Sequence, residues 1–203
     1  MSYEYAIATE SDRGMVREAL ATYFYPEEPL TLAHRDGPAV TEDDMEAALS
    51  FLAQGTVTLA RVDVTGELVG LAVGGRSADA GTTITTRKYA DIVAFLECLS
   101  ARAAGAECSS ASSYHVYMLA VHPAHRGHSI GRRLMEQQFE LVRARWPSLP
   151  TVTVEATSAT SLRLMKRIGM HETARLAFAD YRDEAGEQAF FGNGEAIRLE
   201  LKL

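Results

Sequence analysis

The stretch His125-Arg126-Gly127-His128-Ser129-Ile130-Gly131-Arg132-Arg133-Leu134 decides the fold of this 203-residue chain. It follows an apolar, strand-like run over residues 114–121 and leads into a helical pattern with Met135, Phe139, Val142 and Trp146 on one face. A strand that passes through a small, basic loop into a helix presents free backbone N–H groups and the positive end of the helix dipole at one point. The sequence therefore predicts an anion site, and a cofactor that carries a diphosphate is its natural ligand.

Each part of this loop suits a phosphate ligand. Gly127 and Gly131 permit turn geometry and a close approach of the backbone, while Arg126 and Arg132 can pair with phosphate oxygens. The chain has no Gly-x-x-x-x-Gly-Lys-Ser/Thr run, which a P-loop needs. The loop also lacks the three spaced glycines of a dinucleotide-binding fingerprint. A third kind of phosphate-binding loop is indicated.

Residues 126–131 resemble the Arg/Gln-x-x-Gly-x-Gly/Ala signature of the GNAT superfamily of N-acetyltransferases, which cradles the pyrophosphate of acetyl-CoA. Ser129 stands where the family usually has Gly, and a serine can also start a helix and donate a hydrogen bond. The resemblance implies that acetyl-CoA is the co-substrate. The cofactor-binding residues that it implies are Leu119, Ala120, Val121, Arg126, Gly127, His128, Ser129, Ile130, Gly131, Arg132 and Ser158.

The order of predicted elements indicates an α/β fold with a mixed sheet. Helices are predicted to begin at Ser11, at Thr41 with Asp44 as part of a capping box, near Lys88, inside the basic loop, and at Ser158. Strands are predicted over residues 5–8, 56–62, 68–73, 114–121, 152–156, 174–178 and 196–203. Residues 25–40 are predicted to be irregular, and residues 77–83 and 104–113 to be polar loops. The family resemblance adds that the central sheet is mostly antiparallel and flanked by helices, in a single-domain acetyltransferase fold.

Length and composition fit one globular domain over residues 1–203, with 47% hydrophobic and 23% charged residues. We expect no signal peptide and no membrane span, because no apolar run approaches about 18 residues. Cys98 and Cys108 form neither a disulfide framework nor a metal-binding pattern, so we expect a cytoplasmic protein without a metal. The net charge of −7 argues against a nucleic-acid partner and is compatible with a cationic substrate. We expect a monomer or a homodimer.

A second segment, residues 158–170, is similar to the acetyltransferases' other cofactor segment, Asn-x-x-Ala-x-x-Leu-Tyr-x-x-x-Gly-Phe. Ser158 stands for the Asn, Ser161 for the Ala and Met165 for the Tyr. Many family members use that Tyr to protonate the departing thiolate, and methionine has no proton to donate. This departure leaves open a non-catalytic acyl-CoA-binding module as an alternative to an enzyme.

One branch of the superfamily, the arthropod-type arylalkylamine (dopamine) N-acetyltransferases, shares these departures. Its N-terminal motif resembles Phe24-Tyr25-Pro26-Glu27-Glu28-Pro29-Leu30, and its Ser-x-Arg-x-Met helix resembles Ser161-Leu162-Arg163-Leu164-Met165. Its late Phe-Ala-Asp-Tyr segment matches residues 178–181. The resemblance covers about residues 3–203, and it implies acetyl transfer to a small primary amine, an arylalkylamine above all. An aliphatic polyamine, agmatine or an aminoglycoside is the alternative acceptor.

The chemistry of amine acetylation assigns roles to the catalytic candidates Glu28, Ser161 and Thr157. A primary alkylamine has a pKa near 10 in water, so it must lose a proton before it attacks the thioester. The resemblance implies Glu28 as the general base, with Glu27 as the adjacent competitor. It implies that backbone N–H groups near residues 119–121 stabilise the oxyanion, and that Ser161 or Thr157 serves the leaving thiolate.

Three further residues are candidates for binding the acceptor. His115 and Tyr117 alternate on one face of the predicted core strand, where they can line a pocket, and His115 can also relay protons. Tyr25 can stack against an aromatic amine. The chain has neither a zinc-type His/Cys spacing nor a Gly-x-Ser-x-Gly nucleophile elbow. We therefore expect direct transfer, without an acyl-enzyme.

Overall fold

A computed structural model describes residues 2–76, 83–103 and 113–203, and it contains one seven-stranded sheet in these ranges. The strand order is β1-β2-β3-β4-β5-β7-β6, and β4 and β5 are parallel whereas the other neighbouring strands are antiparallel. The predicted α/β class with a mixed, mostly antiparallel sheet is confirmed. The strands are β1 (Tyr3–Ile7), β2 (Val57–Val62), β3 (Leu68–Arg76), β4 (Ser113–Val121), β5 (Thr151–Ala156), β6 (His171–Ala177) and β7 (Glu195–Lys202).

Six α-helices of the described ranges pack on the two faces of this sheet. They are α1 (Arg13–Ala19), α2 (Pro29–Ala33), α3 (Glu42–Ser50), α4 (Arg87–Arg102), α5 (Ile130–Arg145) and α6 (Ala159–Arg167). As predicted, α5 buries Met135, Phe139 and Val142, whereas Trp146 is its C-cap and is only partly buried. A separate core joins α1 and α3 to β2 and β3, and Phe95 of α4 packs against Phe178 and Phe190.

The pairing between β4 and β5 is short. It ends at Val116 and Val154, although β4 continues to Val121 on its other edge beside β3. The β3–β4 register shifts between Val73 and Gly74, where β4 accommodates the extra residue Tyr117. Beyond this bulge, peptide groups of β4 that point away from β3 have no strand to pair with, which opens a gap in the middle of the sheet.

Two predictions about helices were wrong. The first helix is capped by Thr9 rather than Ser11: Thr9 and Asp12 form a capping box around a 3₁₀ turn, and α1 follows from Arg13 and continues as a π-helical turn over Leu20–Phe24. The segment predicted to be irregular contains α2, which begins with Pro29 directly after Glu28. Proline suits the first position of a helix because its missing N–H would have no partner there.

Other boundaries differ by a few residues. The first strand spans Tyr3–Ile7 rather than residues 5–8, and β3 continues through Gly74 and Gly75 to Arg76. Asp44 does not complete a capping box for α3, because its carboxylate accepts a hydrogen bond from the Tyr25 hydroxyl instead. The loops predicted at residues 77–82 and 104–112, with Cys108, lie outside the described residues.

Candidate active site

A cavity of about 1730 Å³ lies where β4 and β5 separate. Residues of β4, of the basic loop, of α6 and of the segment before α2 line it together with residues of α3 and α4. Pockets for one drug-sized ligand usually measure about 300–1,000 Å³, so this cavity has room for two ligands side by side. Every predicted site residue lines the cavity except His128, whose ring packs edge-on against Tyr3 at 6.1 Å.

The basic loop presents its backbone to the cavity. Within the described part of the chain, no backbone N–H of residues 127–132 donates a hydrogen bond, and the first such bond of α5 runs from Arg133 to Ser129. The helix that follows has 16 residues, so its dipole adds positive potential at the same point. Unpartnered donors at a helix N-terminus fit the diphosphate of the expected cofactor.

Two loop residues have left-handed backbone conformations, Gly127 at φ 85° and Ser129 at φ 63°. Ser129 is the one non-glycine residue with positive φ among those the structure describes. Ser129 is the N-cap residue of α5, but its side chain makes no capping hydrogen bond. The left-handed turn explains why related loops carry glycine at this position.

The two predicted phosphate-binding arginines are held differently. Arg126 donates from Nε to the Val121 carbonyl at 3.1 Å and from one terminal nitrogen to both Glu27 oxygens at 2.9 Å. Arg132 pairs with Glu136 at 2.8 Å. A Cβ on Gly131 would lie 3.3 Å from the Leu164 side chain, so the first turn of α5 packs closely on α6.

Glu28 is held at the junction of three elements. Its two carboxylate oxygens accept hydrogen bonds from the backbone N–H groups of Leu30 at 3.1 Å and Thr31 at 2.6 Å, which makes Glu28 the N-cap of α2. The Thr157 hydroxyl at the end of β5 donates to the same carboxylate at 3.1 Å. Glu27, the adjacent competitor, points toward Arg126 instead. The two neighbouring carboxylates therefore have different partners.

The hydroxyl groups near the N-terminus of α6 form a compact set. Ser158 caps the helix by accepting from the Ser161 N–H at 3.1 Å, and the Ser161 hydroxyl donates to the Ser158 carbonyl at 2.9 Å. The two side-chain oxygens lie 3.0 Å apart. Thr157 donates to Glu28 and Ser161 donates to the Ser158 carbonyl, so either hydroxyl must leave an acceptor within the protein before it can donate to a leaving group.

Aromatic side chains and a second carboxylate form the end of the cavity near α3. Phe51 and Tyr117 have ring centroids 4.9 Å apart, and the Tyr25 hydroxyl donates to Asp44 Oδ1 at 3.0 Å. Burial raises the pKa of Asp44 to about 7, with the Glu28 charge adding to the shift and the Tyr25 hydrogen bond opposing it. Burial and the neighbouring carboxylates also hold the pKa of Tyr25 far above its usual value. Sequence reasoning interpreted Asp44 as a helix cap and missed it as a site residue.

His115 belongs to a buried polar network. Its Nδ1 lies 2.8 Å from the Thr153 hydroxyl and its Nε2 lies 2.8 Å from Glu155, which also pairs with Arg198 at 2.6 Å. Burial opposes ionisation of Glu155, but the His115 and Arg198 charges and hydrogen bonds hold its pKa below the usual value. His115 packs edge-on against Tyr117 at 4.5 Å, as expected for one face. Both ring nitrogens of His115 therefore have partners within the protein.

Two groups of charged side chains line the cavity, in addition to Glu27, which pairs with Arg126, and to the strand residues Glu155, Arg198, Glu200 and Lys202. The carboxylates of Glu28, Asp44 and Glu97 come from the N-terminus of α2, from α3 and from α4. Arginines come from the basic loop, α5 and α6, namely Arg126, Arg132, Arg163 and Arg167. The arrangement suits an anionic cofactor on one side and a cationic acceptor on the other.

The described ranges contain neither a membrane-spanning helix nor a metal-binding cluster. None of their helices is long and apolar enough to cross a lipid bilayer. No group of three or more His, Cys, Asp or Glu side chains in these ranges could hold a metal ion.

Comparisons with known proteins agree with this geometry. The family model for the acetyltransferase (GNAT) family matches residues 15–170. The chain is similar to the crystal structure of mosquito arylalkylamine N-acetyltransferase-like 5b. The two sequences are 31% identical, 100% of each chain is covered, and the TM-score is 0.89. Drosophila melanogaster polyamine N-acetyltransferase, described as forming N-acetylagmatine, shares the fold at 24% identity, 100% coverage of both chains and a TM-score of 0.83. No curated protein matches the chain.

Ser129 provides a test of the phosphate loop. We expect Ser129→Gly to increase the free energy of unfolding by about 1 kcal/mol, because glycine adopts the left-handed conformation without a steric penalty. We expect Ser129→Val to raise the dissociation constant of acetyl-CoA about 5- to 30-fold, because a β-branched residue disfavours this conformation. Urea unfolding and titration calorimetry measure the two effects. Equal dissociation constants for the two variants would contradict the assignment of the loop.

Proposed function

Because the chain belongs to the GNAT family of acetyltransferases, we propose that it transfers an acetyl group from acetyl-CoA directly to a small primary amine, preferably an arylalkylamine. The observation that carries the proposal is the cavity that joins the unpartnered N–H groups of the basic loop to an acidic, aromatic pocket beside Glu28. The whole of residues 1–203 forms the catalytic domain in this proposal, and its location is the cytoplasm.

The basic loop holds the cofactor. Backbone N–H groups of residues 127–132 bind the pyrophosphate, and Arg126 and Arg132 exchange their carboxylate partners for phosphate oxygens. Acetyl-CoA supplies the activated thioester. The unpaired part of β4 around Leu119, Ala120 and Val121 lines the same cavity, where its backbone N–H groups can stabilise the oxyanion.

Glu28 accepts a proton from the amine nitrogen as that nitrogen attacks. Its carboxylate lines the cavity and is oriented by Thr157 and by two backbone N–H groups, so its position does not depend on the substrate. Ser161, also on the cavity wall, turns its hydroxyl from the Ser158 carbonyl to the departing thiolate, while Thr157 continues to orient Glu28. Cys98 of α4 is partly buried against the core around Phe95 and does not line the cavity, which favours direct transfer over an acyl-enzyme.

The aromatic residues support an arylalkylamine as the acceptor. Phe24, Tyr25, Phe51, Tyr89 and Tyr117 line the cavity near the carboxylates, where rings can pack against an aryl group while the ammonium meets a negative charge. A second carboxylate, Asp44, also supports the alternative of an aliphatic dication such as agmatine or a polyamine. The alternative of a non-catalytic module rests on Met165, which is buried in the core.

A panel of amines separates these possibilities. We expect release of free CoA thiol with phenethylamine, tyramine, dopamine and tryptamine, with kcat/KM at least tenfold above that for agmatine, spermidine and an aminoglycoside. Double-reciprocal plots should intersect, as direct transfer in a ternary complex requires. A reversed order of kcat/KM would support the aliphatic alternative, and tight acetyl-CoA binding without thiol release would support the binding module.

The general base is tested by Glu28→Gln. We expect turnover to fall by about 10²–10⁴-fold, because glutamine cannot accept the proton. Acetyl-CoA affinity should be retained. The free energy of unfolding should fall by about 0.5–2 kcal/mol, because glutamine provides one acceptor oxygen where Glu28 caps α2 with two.

Glu27→Gln is the matched control, with the same chemical change one residue away. Glu27 pairs with Arg126 at the exposed surface, where such ion pairs contribute below about 1 kcal/mol. Its turnover should therefore stay close to that of the unmodified enzyme. Near-normal turnover of Glu28→Gln, or an equal loss in Glu27→Gln, would place the base elsewhere.

A further inference from the structure

An alkylammonium ion must lose two protons to become an amide. The first proton leaves before attack, since the nitrogen needs a lone pair, and the second leaves as the C–N bond forms and the C–S bond breaks. Glu28 is one acceptor in the proposed function, on which the following inference rests. The cavity contains a second carboxylate that this mechanism leaves unused.

That carboxylate is Asp44 of α3. It is only 7% exposed, yet it lines the cavity together with Glu28 and Tyr25. Tyr25 donates to its Oδ1 at 3.0 Å, whereas Oδ2 accepts none of the hydrogen bonds found among the described residues. One oxygen is thus anchored, and the other remains available to a ligand.

Among the described residues no cation forms an ion pair with the Asp44 carboxylate, although the charge of nearby Lys88 acts to lower its pKa. Lys88 of α4 donates instead to the carbonyls of Thr31, Gly37 and Ala39. Asp43 accepts hydrogen bonds from Thr85 and Thr86 at the start of α4. The remaining neighbours are Glu28, Tyr25 and Tyr89, none of which is a cation. A substrate ammonium would supply the missing positive charge.

We propose that Asp44 Oδ2 binds the substrate ammonium and takes up its first proton, so that the neutral amine forms inside the cavity. An N–H bond of the ammonium breaks and an O–H bond forms on Asp44; the carboxyl then releases this proton to solvent. Glu28 takes the second proton from the nitrogen during attack. This second proton passes from Glu28 to the leaving CoA thiolate, which ends as the thiol, so only the proton taken up by Asp44 is released to solvent in each turnover.

Burial makes Asp44 suited to this step. Its pKa is raised to about 7, mainly by burial, whereas an ordinary aspartate has a value near 4. The equilibrium constant for proton transfer from an ammonium with a pKa near 10 to Asp44 is then about 10⁻³, whereas it would be about 10⁻⁶ for an ordinary aspartate. The neighbouring charge of Glu28 contributes to the rise in the pKa of Asp44.

The test is the pH dependence of kcat/KM for the best amine of the panel. In the unmodified enzyme, log kcat/KM should rise with unit slope to about pH 7 and then stay level up to the pKa of the amine. In Asp44→Asn only the free amine can react, so the rise should continue to near pH 10. The loss at pH 7 should be about 10²-fold or more and should shrink toward pH 10.

Tyr25→Phe supplies a second readout that a merely structural role of Asp44 would not produce. Its hydroxyl stabilises the ionised Asp44, so removing it should raise the pKa of Asp44 and move the acidic limb up by about one pH unit. Tyr114→Phe is the matched control, because Tyr114 is a buried tyrosine that bonds Gln138 and does not line the cavity. The acidic limb of the pH profile of Tyr114→Phe should stay at the same pH as in the unmodified enzyme.

Circular dichroism melting and acetyl-CoA binding establish that each variant folds. If Asp44→Asn does not fold, the pH profile of Tyr25→Phe alone tests the role of Asp44. A limb near pH 7 that persists in Asp44→Asn, or that does not move up in Tyr25→Phe, overturns the role of Asp44 and leaves the proposed function intact. Absence of acetylation by the unmodified enzyme with every amine refutes the proposed function itself.

Discussion

The end of the parallel pairing between β4 and β5 is the constraint on which the rest of the site depends. After Val116 and Val154, the two strands no longer share hydrogen bonds, although both continue. Backbone polar groups in the middle of a sheet need partners, and here a ligand can provide them. The bulge at Tyr117 and the close packing of Gly131 on Leu164 keep the basic loop at the mouth of this gap.

Glu28 connects the two sides of the gap. The carboxylate that caps α2 also accepts a hydrogen bond from Thr157 at the end of β5, so the acceptor side and the cofactor side share one group. As the proposed general base, Glu28 is held by interactions present before substrate arrives, which reduces the reorganisation that catalysis requires. Asp44, anchored by Tyr25 on α3, adds a second carboxylate with a different environment.

Local motifs predicted the parts of the site that contiguous residues form. The loop from Arg126 to Arg132 and the Ser158 cap follow from short patterns with direct physical meaning, whereas Glu28, which also lines the cavity, was singled out by the family resemblance. The roles of Asp44 and Glu155 could not be predicted this way. Their partners, Tyr25, His115 and Arg198, are distant in the sequence and meet only after the sheet forms. The left-handed Ser129 and the short helix after Glu28 were missed because serine and glutamate rarely occupy such positions.

Hydrogen–deuterium exchange with and without acetyl-CoA tests most directly whether the gap between β4 and β5 is the cofactor site. The backbone amides of residues 118–121 and 127–132 should gain protection when acetyl-CoA is added, because these segments line the cavity, and N–H groups in them lack protein partners among the described residues. The outer strand β1 should exchange at an unchanged rate, since it lies at the far edge of the sheet. Protection confined to other segments, with these two unchanged, would contradict this structure-based assignment.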